Sequence, residues 1–145
     1  MKPTFVEISR IIAAPPDKVF GAWTDPVQLT KWWAPAPMFC PQAEVDLREG
    51  GNYRLANQSP DGSIVWITGR FLTIRRPNLL VYTWLLSDHP AEETLVRVGF
   101  QGHADGTEVI IRHERYSTEA VGELHVQGWN RYLDKLEVLL SGTTV

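Results

Sequence analysis

The sequence predicts an α+β domain: a curved, seven-stranded antiparallel sheet around a long C-terminal helix, with two short helices after strand one. Apolar residues recur at a period of two through most of the chain. Turn dipeptides such as Asp61-Gly62 and Asp105-Gly106 separate the alternating runs. The last stretch changes to three- and four-residue spacing, as an amphipathic helix requires.

Val6, Ile8 and Ile12 alternate with Glu7 and Ser9, which reads as a half-buried strand closed by Pro15-Pro16. Asp17 to Trp23 is a short helical pattern. Asp25-Pro26 starts a second one, stopped by Pro35 and Pro37 after Trp32-Trp33. From Ala43 the alternation returns, with Val45 and Leu47, then Tyr53 and Leu55 after Gly50-Gly51. Ile64 to Ile74 reads as a longer strand whose apolar residues fit neither face cleanly. Beyond Pro77-Asn78, Leu80, Tyr82, Trp84 and Leu86 share a face; so do Val96, Val98 and Phe100, and then Thr107, Val109, Ile111 and His113.

The helix begins near Ser117 or Thr118, either of which supplies a capping oxygen, with acidic Glu119 and Glu123 in the first turns. Its inward stripe is Val121, His125, Trp129, Tyr132, Leu133, Leu136 and Leu140, and Gly142 ends it. Strands followed by one long helix pack as a sheet with the helix across its concave face. No linker or repeat interrupts residues 1–145, so a single domain is expected.

Composition narrows the function. With 43% hydrophobic and 21% charged residues the chain is an ordinary globular one. A net charge of -3 with scattered Lys and Arg lacks the basic stripe that neutralises phosphates, so no nucleic-acid partner is expected. The apolar runs fall far short of the ~20 residues that span a bilayer, and the N-terminus lacks a signal peptide's apolar region. A cytoplasmic location without a membrane span is the expectation. Cys40 is the only cysteine, which excludes an internal disulfide and a Cys-paired zinc site. Its neighbours Met38, Phe39 and Pro41 offer no base or cation to activate it, so a packing role is expected. The chain has neither a nucleophile elbow nor a Walker loop, a dinucleotide fingerprint or a His-Glu-x-x-His helix. No cofactor and no metal is expected, the four histidines being scattered over strand, turn and helix.

Residues 11–33, IIAAPPDKVFGAWTDPVQLTKWW, resemble the N-terminal signature of the START-like or SRPBCC superfamily. In particular they resemble the branch named after the activator of the heat-shock-protein-ninety ATPase. Glu49-Gly50-Gly51 before Tyr53, Pro60-Asp61-Gly62, Gly69 with Phe71, Pro77 to Trp84 and Gly128-Trp129 continue the likeness over nearly the whole chain. The resemblance implies a helix-grip fold, shared with the birch-pollen allergen and lipid-transfer domains, with a cavity between sheet and helix. It does not imply one activity, since carriers, receptors, cyclases and co-chaperones share the fold. The co-chaperone itself carries an additional N-terminal domain absent from this sequence, which makes a chaperone partner the weaker expectation.

A cavity needs apolar walls and a few placed polar groups. Tyr53, Tyr82, Trp84, Phe100, Trp129 and Tyr132 are the candidate walls, and Gly128 is expected to leave room beside Trp129. The plainer reading is that these rings simply fill a core. His113 and His125 are candidates for acid–base work or ligand contact, against the commoner role of satisfied structural histidines. Arg10 shares a face with Val6, Ile8 and Ile12, where it either meets an anionic ligand or makes a structural ion pair. Asn57 occupies a similar position, whereas His89 and His103 belong to loops.

The leading expectation is therefore a non-enzymatic carrier of an apolar or aromatic small molecule. The alternatives are a cyclase or dehydratase using His113, His125, Arg10 or a tyrosine, and a co-chaperone-type interaction module. A homodimer is a further expectation, on the ground that Trp32-Trp33 would be exposed in a monomer.

Overall fold

The computed structural model describes residues 5–34, 37–88, 93–115 and 119–140. Strand β1 (Phe5–Ile12) is followed by α1 (Pro16–Thr24) and α2 (Pro26–Trp32). Then come β2 (Ala43–Val45), β3 (Asn52–Gln58), β4 (Ile64–Arg75), β5 (Leu79–Leu86), β6 (Thr94–His103) and β7 (Gly106–Glu114), and finally α3 (Glu119–Leu140). The seven strands form one antiparallel sheet in the order β1-β7-β6-β5-β4-β3-β2. This is the expected α+β helix-grip architecture. No described helix is long and apolar enough to cross a membrane.

Local chemistry sets the breaks. Pro16 and Pro26 each open a helix, where a missing amide hydrogen costs nothing. The Asp25 side chain caps α2 by accepting from the Val27 amide at 3.0 Å. Gly106 turns β6 into β7 at φ +136°, and a Cβ there would strike the Ile12 carbonyl. Leu47 falls beyond the end of β2 and is exposed, because that strand stops at Val45. The capping residues Ser117 and Thr118, terminating Pro35 and Gly142, and the Val121 side chain all lie outside the described residues.

Strand β4 explains its own ambiguous pattern. Its register against β5 shifts between Phe71 and Thr73. Ile67 and Phe71 point inward before that bulge, and Ile74 meets the core after it. One extra residue reverses the inward parity, so no single alternation fits the strand. The two strands also separate at Gly69 and Arg70, where the Tyr53 hydroxyl reaches through to the Thr83 carbonyl. Gly69 is needed there, since a Cβ would collide with that carbonyl and the Tyr53 ring.

The concave face carries Ile12, Val109, Ile111, His113, Val96, Val98, Phe100, Leu80, Tyr82, Trp84, Ile67, Tyr53, Leu55 and Asn57, all buried. Helix α3 lays Trp129, Tyr132, Leu133, Leu136 and Leu140 against it, while Arg131, Asp134 and Val138 face outward. Arg10 ties this helix to the edge strand. Its guanidinium pairs with Asp134 at 2.6 Å and Glu137 at 3.6 Å and donates to the Asn130 side chain at 3.0 Å.

Candidate ligand-binding site

The space between sheet and helix is occupied by aromatic side chains. Trp23, Trp32, Trp33, Trp84 and Trp129 are buried, and Trp66 alone among the tryptophans lies on the outer face, beneath the Arg54 guanidinium. Trp33, just past the last turn of α2, stacks on Tyr132 with ring centroids 4.3 Å apart and planes 20° apart. Trp84 of β5 meets Trp33 at 5.9 Å, Trp129 at 5.4 Å and Tyr132 at 6.5 Å. Offset and edge-on contacts of this kind suit rings with electron-rich faces and electron-poor rims. Tyr53 and Tyr82 lie beside them on the sheet with their own ring centroids 5.3 Å apart, and the Tyr82 hydroxyl accepts from Trp23 Nε1 at 3.2 Å.

The free volume that remains is small. A void of about 20 Å³ lies among Trp23, Leu29, Trp33, Val45, Tyr53, Leu55, Phe71, Leu80 and Tyr82. That is room for about one water, against the ~300–1,000 Å³ of a pocket ready for a drug-sized ligand. Indole and phenol rings pack closely around that void. A larger groove of about 690 Å³ lies on the outer side of the sheet, where Glu44, Asp46, Arg54 and Arg70 mix both charge signs.

His113 sits in a closed hydrogen-bond chain. Trp129 Nε1–H can only donate, and it does so to His113 Nδ1 at 3.0 Å. The imidazole hydrogen therefore resides on Nε2, 2.7 Å from Thr94 Oγ1, which donates onward to the Trp84 carbonyl at 3.3 Å. His125 stacks on the imidazole with centroids 3.8 Å apart. Burial, then the neighbouring His125, holds His113 well below the usual imidazole range, so it is neutral. With both ring nitrogens committed, it has no lone pair to offer a substrate.

A different condition holds a few ångströms away. Trp33 Nε1, Trp84 Nε1 and Asn57 Oδ1 are buried with no hydrogen-bond partner among the described residues. Asn57 Nδ2 donates to the Tyr132 hydroxyl at 3.1 Å. Exchanging the amide's oxygen and nitrogen would let Tyr132 donate instead and leave the amide N–H unpaired; either way one end of Asn57 is unpartnered. Burial pushes the phenols of Tyr53, Tyr82 and Tyr132 up, which keeps them protonated. It likewise raises the Cys40 thiol, whose sulfur donates to the Gln42 carbonyl at 3.3 Å, in line with packing rather than reactivity.

The candidate residues thus divide. Trp84, Asn57, Trp129, Tyr132, His113 and His125 meet around the first half of α3. Tyr53 and Tyr82 line the small void beside them. Phe100 lies apart, under α1 against Phe20 at 5.3 Å and Trp23 at 5.7 Å. Arg10 is committed to its ion pairs on α3. Gly128 does not hold space open for Trp129, because an added Cβ would meet only the Tyr132 ring at 3.9 Å, an ordinary contact. Trp32 and Trp33 are fully buried within the single chain, which removes the exposed-tryptophan ground for a homodimer. His103 ends β6 with its Nδ1 accepting from the Asp105 amide, and His89 lies outside the described residues.

Sequence reasoning missed Trp33, Trp23 and Thr94. Six tryptophans in 145 residues is an excess and was the available signal for the first two, but nothing in the spacing says that the indole after α2 folds inward. Thr94 reaches His113 only through the pairing of β5, β6 and β7, which brings together residues far apart in sequence.

Comparison with known proteins agrees with this fold. A Chromobacterium violaceum protein is 27% identical, superposes with a TM-score of 0.87 and matches over 95% of this chain and 98% of its own. A Nitrosomonas europaea protein is also 27% identical, with a TM-score of 0.82 over 95% and 94% of the two chains. A Silicibacter pomeroyi protein that bears the AHSA1 name shares the fold at 21% identity, with a TM-score of 0.82 over 94% and 97%. No curated protein matches the chain in sequence. The family described as Activator of Hsp90 ATPase homolog 1-like protein matches residues 13–141, and the chain belongs to that family.

Proposed function

We propose that this chain is a binding domain for an apolar or aromatic small molecule, held between β3, β5 and α3 beside Trp33, Trp84 and Tyr132. The observation that carries the reading is the set of unpartnered polar atoms at Trp33, Trp84 and Asn57 inside aromatic walls. Natural structures pair roughly nine in ten or more of their buried polar groups. Leaving one unpaired costs about 1–3 kcal/mol. Phe or Leu at Trp33 and Trp84 would leave no such groups, so these atoms are free to take a partner that is not a side chain, either a buried water or a bound molecule.

Binding requires rings to move, since the void holds about one water. Catalysis is less well supported, because His113 has both nitrogens engaged.

The test is titration with N-phenyl-1-naphthylamine, a neutral apolar fluorophore, together with native mass spectrometry of protein purified from its own cells. A saturable one-to-one emission increase, weakened by Trp33→Leu and Trp84→Leu, is expected. Absence of saturable binding, with no small molecule released on denaturation, would overturn the reading.

A further inference from the structure

We infer that the ligand of this interior is a neutral molecule carrying a carbonyl-type hydrogen-bond acceptor on an apolar body, the acceptor being held by Trp33 and Trp84. The inference rests on the binding reading above and adds the chemistry of what is bound. An indole N–H donates and never accepts. The two unpartnered atoms on these rings, whose centroids are 5.9 Å apart, therefore ask for acceptors. A plain hydrocarbon would fill the space and leave both donors as they are.

Charge decides between kinds of acceptor. The buried polar side chains among the described residues are Thr24, Asn57, Thr94, Thr107 and His113, and none is charged. The nearest cation, half-buried Lys135, donates to the carbonyls of Ala34 at 3.1 Å and Trp33 at 3.5 Å at the end of α2. A carboxylate placed among these rings would be desolvated without a countercharge, which the interior cannot offset. A quaternary ammonium would suit the ring faces but leaves the indole donors unpaired and sets its positive charge against them. A ketone, quinone, lactone or amide meets both conditions. The unpartnered end of Asn57 offers a second polar contact to the same molecule.

The experiment compares three probes on one tricyclic frame, fluorene, 9-fluorenone and 9-fluorenecarboxylate, by calorimetry and by the indole N–H resonances of ¹⁵N-labelled protein. The Trp33 and Trp84 signals are assigned from Trp33→Phe and Trp84→Phe. The expected result is fluorenone binding about tenfold or more tighter than fluorene, as one recovered hydrogen bond predicts, with both indole signals moving downfield. The carboxylate should bind more weakly than either neutral probe, and Trp84→Phe should lower fluorenone affinity by a larger factor than fluorene affinity, because both lose ring contact but only fluorenone loses a donor. Equal binding of fluorene and fluorenone, or tightest binding of the carboxylate, overturns this inference and leaves the binding reading standing. Failure of all three probes overturns this inference, and the binding reading falls with it only if N-phenyl-1-naphthylamine also fails to bind and no small molecule is released on denaturation.

Discussion

Two neighbouring parts of one interior treat their polar atoms in opposite ways. Through His113 three donors find acceptors in sequence: Trp129 to His113, His113 to Thr94, Thr94 to the Trp84 carbonyl. Around Trp33, Trp84 and Asn57, equally buried atoms have none. Both parts are walled by the same rings, so burial and aromatic packing do not explain the difference. A completed chain holds the sheet to α3, whereas the incomplete set is the part of the core with chemistry to spare for a visitor.

The largest effect should come from breaking the completed chain. His113→Ala leaves the Trp129 N–H unpaired and opens a cavity, and should destabilise the protein by about 2–4 kcal/mol in urea unfolding. The same residue sets an acid limb. Its folded-state affinity for protons is depressed, so the unfolded chain takes up a proton at about pH 6.5 that the folded chain refuses. Stability is then full above about pH 6.5 and falls as the pH drops below it, by at most about 1.4 kcal/mol per pH unit. His113→Ala should flatten that limb between about pH 6.5 and 5. An unchanged limb in the variant would show that another group carries it.

A paired substitution measures the contrast itself. Trp129→Phe and Trp84→Phe remove similar ring area, but only the first strips His113 Nδ1 of its donor. Trp129→Phe should be the more costly by about 1–3 kcal/mol. Equal costs in thermal unfolding would mean that the Trp84 N–H is not a spare group after all.

The smallest effect is a control on both. Gly128→Ala puts a better helix former in α3 where the added Cβ meets only an ordinary contact. It should stabilise by about 0.5–1 kcal/mol, read as a raised Tm, and leave the difference between the two tryptophan variants as it was.

Much of this architecture is legible in the chain. Period-two alternation locates the strands, Pro16 and Pro26 locate the short helices, and the stripe from His125 to Leu140 locates α3. Each is a local signal, because burial on one face of an element repeats with that element's own period. The signal fails where geometry breaks the period, as at the β4 bulge between Phe71 and Thr73. The candidate site was legible residue by residue: alternation and helical spacing bring Asn57, Trp84, His113, His125, Trp129 and Tyr132 to inward faces. Trp33 was not, because a residue just past a helix end obeys neither period.

By itself, then, the sequence determined the order of elements, the inward faces and the family likeness, all of which follow from patterns along the chain. Tertiary structure decided which inward groups have partners. It closed the circuit from Trp129 through His113 to Thr94, left Trp33, Trp84 and Asn57 without partners among the described residues, and packed rings around a small void. Hydrogen-bond satisfaction and free volume depend on distances between side chains remote in sequence, and no period along one strand or helix encodes them.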